Sequence, residues 1–110
     1  MISERDIESA VDYLRDNARK AGHAKANRIY MEEYRKTVKA QIMGERNNLP
    51  LGAQEREAYA DSRYLKHLEA MRDAIEADEY HRWMMVSAQA KIEAWRTQQA
   101  NSRAEGKAYR

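Results

Sequence analysis

Pro50 is the only proline in this chain of 110 residues, and it separates two long stretches that hold no helix breaker stronger than glycine. Proline lacks a backbone N–H and pushes the residue before it out of the α region, so a helix cannot run unbroken through Leu49. The run Arg46-Asn47-Asn48-Leu49-Pro50-Leu51-Gly52 is rich in turn formers and reads as a turn over 46–52. Upstream, Ser3 and Asp6 make a capping box with Asp in the place of the usual Glu or Gln, which predicts a helix over about 4–45. Downstream, 53–60 reads as a short helix and Asp61 as the N-cap of a long helix over about 62–103. Gly106 is its expected stop, with 104–110 a frayed tail.

Two helical arms of about 42 residues would each span ~63 Å at 1.5 Å per residue. Twenty Lys and Arg against eighteen Asp and Glu, with no cysteine and no phenylalanine, is a long-helix or coiled-coil composition. Few β-branched residues leave strand propensity low. The absence of cysteine excludes disulfides and thiolate metal or redox chemistry.

Charge placement favours folding the arms back on each other. Residues 1–18 carry two basic and five acidic side chains, 19–46 eight and three, 55–79 four and eight, and 91–110 five and two. An antiparallel arrangement sets acidic against basic at both ends, whereas a parallel one sets like against like. Acid first and base last also suits each helix dipole. The expected fold is all-α: one domain over 1–110, an elongated antiparallel helical hairpin of two long helices that oligomerises into a helical bundle.

The apolar pattern is less regular. Ile7, Val11, Leu14, Ala18 and Ala21 share one face; after Gly22, the residues Ala24, Met31, Tyr34, Val38 and Ile42 lie on a face rotated from it. This predicts a kink or break near Gly22, or different neighbours for the two halves. The second long helix opens on Tyr64, Leu68, Met71 and Ile75, and its later part is apolar on two sides. A helix apolar on two sides needs two neighbours, and a lone hairpin supplies one. Self-association is expected, with residues 80–96 at the oligomer or partner interface: Tyr80, Trp83, Met84, Val86, Ala88, Ile92 and Trp95. Asp78, Arg82 and Gln89 interrupt the seam and could fix its register, with Asp78 and Arg82 spaced to pair.

Motifs for chemistry are sparse. Asp78 and His81 share the spacing of one arm of a di-metal bundle site, but the carboxylate is Asp rather than Glu and there is no second copy, so no metal site and no cofactor are expected. No nucleophilic triad or phosphate-binding glycine loop is present, and the expectation is no enzyme and no small-molecule substrate. Cations interleave with aromatics around Tyr30 and Tyr34 and around Tyr80, Trp83 and Trp95. Arg28, Arg35, Lys36, Lys39, Lys91 and Arg96 are therefore candidate nucleic-acid contacts. The competing reading is a set of solvated charges on packed helices. The longest run of large apolar residues is Trp83-Met84-Met85-Val86, far short of a membrane span, and the N-terminus lacks the pattern of a signal peptide.

The stretches Tyr59-Ala60-Asp61-Ser62-Arg63-Tyr64, Arg82-Trp83, Ala88-Gln89-Ala90-Lys91-Ile92-Glu93 and Trp95-Arg96-Thr97-Gln98-Gln99-Ala100-Asn101 resemble small helical, coil-containing proteins encoded by tailed bacteriophages and prophages. The resemblance covers about the C-terminal half and carries no functional residues across. It implies a bacterial cytoplasmic setting and a role in phage DNA metabolism. The function expected from the whole sequence is a non-enzymatic phage or prophage accessory protein, assisting DNA recombination or replication through a protein partner, DNA, or both. The alternatives are a scaffold or adaptor, for example an inhibitor of a host factor, without nucleic-acid affinity, and a metal-dependent helical-bundle enzyme.

Overall fold

The computed structural model describes residues 1–108, which form three helices and no strand. The first, α1 (Glu4–Glu45), starts where the capping residues reciprocate: the Asp6 N–H donates to Ser3 Oγ at 3.2 Å and the Ser3 N–H to Asp6 Oδ2 at 2.9 Å. Two donors otherwise orphaned at the helix start are thereby satisfied. Turn hydrogen bonds from the Arg46 N–H to Met43 O and from the Leu49 N–H to Arg46 O close the chain after α1. The second helix, α2 (Leu51–Ala60), begins two residues before the expected start because Pro50 itself takes the N-cap position. There its carbonyl accepts from the Gln54 N–H, and the Gln54 side chain donates back to Leu49 O at 2.8 Å.

Asp61 serves two helices at once. Its extended backbone ends α2, while its Oδ1 accepts the Arg63 N–H at 2.8 Å and so caps α3 (Ser62–Ala108). The third helix runs through Gly106 to Ala108, beyond the expected end; a glycine stops a helix only where the chain adopts a left-handed turn, and none is present. Residues 104–108 of the expected frayed tail are helical, and 109–110 lie outside the described residues.

Within each long helix the protected side chains alternate by three and four residues. In α1 they are Ile7, Ala10, Leu14, Asn17, Ala21, Ala24, Arg28 and Met31, resuming at Val38 and Ile42; in α3 they are Tyr64, His67, Met71, Ala74, Asp78, His81, Met85, Ala88, Ile92 and Trp95. This spacing places them along one face of each helix. It corrects the expectation of a break and a rotated face at Gly22, since α1 is unbroken there and Ala21 and Ala24 are consecutive members of one seam. The apolar face seemed to rotate because Asn17 and Arg28 hold seam positions, while Val11, Ala18 and Tyr34 point outward. Gly22 has open space where a Cβ would stand.

The chain packs as two compact units, Gly22–Glu79 and Met1–Ala21 with the chain from Tyr80 onward. In the first of these, Ile42, Ala58 and Tyr64 form the core, with Val38 and Met43 against it. The core brings all three helices together: Ile42 from α1 is 1% exposed and Ala58 from α2 fully covered. In the second, Ala10 and Ala88 are the buried residues of α1 and α3.

Candidate interaction surfaces

The unit Gly22–Glu79 holds its charged seam residues in specific pairs. Arg28 Nε lies 2.9 Å from Asp78 Oδ2 and 3.9 Å from Glu32 Oε1. The N–H is not aimed at the Asp78 oxygen, so the contact is an ion pair rather than a hydrogen bond. Asp78 is buried at 7% exposure, a placement that needs such a countercharge. Nearer the start of α3, His67 Nε2 is 2.6 Å from the Met31 carbonyl oxygen. A carbonyl only accepts, so Nε2 carries the hydrogen and donates it. The Tyr34 ring packs on His67, and Tyr30 stacks on Tyr34, each at 5.7 Å between centroids.

A second polar cluster surrounds the turn. Lys39 Nζ donates to Tyr59 Oη at 2.8 Å and to Glu55 Oε1 at 3.4 Å, and the Tyr59 hydroxyl, more than Glu55, holds the ammonium above its usual pKa. Arg46 pairs with Glu57 at 2.7 Å. Arg63 grips both oxygens of Glu45 and also contacts Asp61. The guanidinium holds Glu45 and Asp61 below the usual carboxylate range, and those carboxylates in turn raise Arg63. These are exposed pairs, and their worth lies in fixing the turn geometry rather than in large stabilisation.

In the unit from Met1–Ala21 and Tyr80 onward, two alanines facing each other leave a groove of about 220 Å³ floored by Ala10 and Ala88, with Tyr13, Met84, Ser87 and Lys91 on its walls. His81 Nδ1 is buried and makes no hydrogen bond among the described residues.

The structure divides the interface residues read from the sequence. Ala88, Ile92 and Trp95 belong to the seam of α3 and are covered or half-covered by the chain itself. Tyr80, Trp83, Met84 and Val86 face outward, at 59, 58, 37 and 41% exposure. The residues read as seam interruptions also divide: Asp78 occupies a seam position with Arg28 as a countercharge, whereas Arg82 and Gln89 are exposed, and Arg82 lies over the Trp83 ring.

Most of the candidate nucleic-acid contacts are engaged within the chain. Arg28 pairs with Asp78, Lys36 with Glu33, Lys39 with Tyr59 and Glu55, and Arg96 with Glu93. Lys91 lines the groove and Arg35 is exposed. Comparison with protein-family models, curated proteins and solved structures finds no match to this chain.

Asp78 and His81, the candidate metal pair, are both seam residues of α3, and the Asp78 carboxylate faces Arg28. Among the described residues no three His, Cys, Asp or Glu side chains converge on one point, and no helix is long and apolar enough to cross a membrane. Sequence reasoning missed the Arg28–Asp78 and Met31–His67 contacts. The available signal was the strict three-four spacing that links polar and apolar residues alike.

Proposed function

We propose that this protein is a non-enzymatic adaptor that works by pairing helices: an antiparallel helical hairpin that self-associates and holds a protein partner along α3. The observation that carries the reading is the outward placement of Tyr80, Trp83, Met84 and Val86, while among the described residues Ile42 is the one large side chain fully buried. A chain whose buried apolar residues are mostly alanine, and which leaves several bulky apolar residues outside, has more to gain from a partner than from its own core. Support for the hairpin comes from Arg28–Asp78, Met31–His67 and Glu45–Arg63, which link α1 to α3 in descending order along α3. Support for a non-enzymatic role comes from Asp78, the best protected carboxylate, which is neutralised by an arginine instead of being poised for proton transfer.

Light scattering on the full chain tests this reading. The expected mass is a multiple of 12.9 kDa at high micromolar concentration. A monomer under those conditions contradicts it.

A second reading is an accessory protein of phage DNA recombination or replication in a bacterial cytoplasm, as the resemblance of the C-terminal half implies. The Tyr30–Tyr34 stack beside Arg35 and Lys36 favours it, because exposed aromatic faces flanked by cations suit unpaired bases. Binding to single- and double-stranded DNA at two salt concentrations separates the readings. Affinity that falls steeply with salt supports phosphate contact, and no binding at low salt removes it.

A further inference from the structure

Each seam residue of α3 in the unit Gly22–Glu79 is followed by a residue that stands beside the seam: Leu65 after Tyr64, Leu68 after His67, Arg72 after Met71, Ile75 after Ala74 and Glu79 after Asp78. This flank therefore repeats the three-four spacing of the seam itself. Its apolar members are outward, with Leu65 49%, Leu68 37% and Ile75 37% exposed. An α-helix with two adjacent apolar stripes, one of them uncovered, is built for a second neighbour.

We propose that a second copy of this chain packs antiparallel along this flank, with the two-fold axis passing close to Ile75. The inference rests on the self-association reading above and names its surface. The charges choose the partner and the direction. Arg72 and Glu79 are the two charged members of the flank, and they lie at nearly equal distances on either side of Ile75. An antiparallel two-fold sets each Arg72 against the Glu79 of the other copy and Ile75 against itself. A parallel, in-register pairing sets Arg72 on Arg72 and Glu79 on Glu79, which like-charge repulsion penalises. Arg72 is highly exposed, and its contact with the neighbouring Asp73, at 3.8 Å, leaves it able to reach outward. Glu79 is already engaged within its own chain, and a carboxylate accepts from more than one donor.

The chain has no cysteine, so single-cysteine variants report the geometry directly. Ile75→Cys, Leu65→Cys and Asp73→Cys are oxidised separately in the full chain, after circular dichroism confirms that each stays helical. Light scattering runs alongside. A bridge needs Cα atoms within about 7 Å. The two Leu65 residues of an antiparallel pair would stand about 21 residues of helix apart, or ~31 Å. The expected result is an oligomer in which Ile75→Cys cross-links to itself at least tenfold faster than Leu65→Cys or Asp73→Cys. Equal cross-linking at Leu65 and Ile75 overturns the antiparallel sense. An oligomer with no cross-link at Ile75 overturns this surface while self-association stands. A monomer overturns both.

Discussion

Arg28 occupies a seam position where an aliphatic side chain is the ordinary occupant, and Asp78 of α3 supplies its countercharge. Each would be costly there without the other. Asp78→Ala is expected to lower stability by roughly 1–3 kcal/mol, because it strands a half-buried guanidinium; partial exposure of Arg28 keeps the loss below that of a fully buried pair. The double variant Arg28→Met with Asp78→Leu should be neutral or stabilising, since it exchanges an ion pair for apolar packing. Urea unfolding of the three proteins checks both statements, and a double variant as weak as the single one would refute them. At Ile42 the argument concerns volume. It is the fully buried large side chain of the core, and Ile42→Ala should cost about 2–5 kcal/mol in the same measurement.

At the scale of the element, the local signals proved readable and the long-range phase did not. The Ser3–Asp6 box, the stop at Pro50 and the cap at Asp61 each depend on residues within one turn of one another, so chain chemistry alone announces them. The seam depends on what lies opposite. Counting apolar residues alone placed Val11 and Ala18 inside and passed over Asn17 and Arg28, which yielded a rotation at Gly22 that the helix does not have. The same cause blurred the expected interface: nothing in Ala88, Ile92 or Trp95 themselves says that the chain already covers or half-covers them. The junction of α2 and α3 adds a pH dependence. Arg63 holds Glu45 and Asp61 below their ordinary values of 4.5 and 3.8. The unfolded carboxyls therefore take up protons at higher pH than the folded ones. The stabilisation is complete above those ordinary values and is lost as pH falls through the lowered folded values. Arg63→Gln should melt below wild type near neutral pH, with the gap closing as the solution is acidified below about pH 4.

For the molecule as a whole, the proposed self-association makes stability and assembly one quantity. Among the described residues the buried apolar ones are Ala10, Ala24, Ile42, Ala58, Tyr64, Met71, Ala74 and Ala88, five of them alanines that each cover little surface. On the proposed reading, a hairpin with such a core draws the rest of its stability from mass action. The melting temperature should therefore rise with protein concentration across the micromolar range. A melting temperature independent of concentration would mean that the hairpin stands alone.

Gly22 sits in the interior of α1, with ordinary helical backbone and nothing within 4 Å of an added Cβ. No contact and no turn requires glycine there, and relative to alanine it weakens the helix by about 1 kcal/mol. In kinetic language the helix breathes at this point: the amides just after Gly22 spend about fivefold more time exposed than they would behind an alanine, the factor that ~1 kcal/mol sets in an opening equilibrium. Deuterium should enter there ahead of the segments on either side. A protease at low dose should make its first cut in α1 at the same place, and Gly22→Ala should delay both.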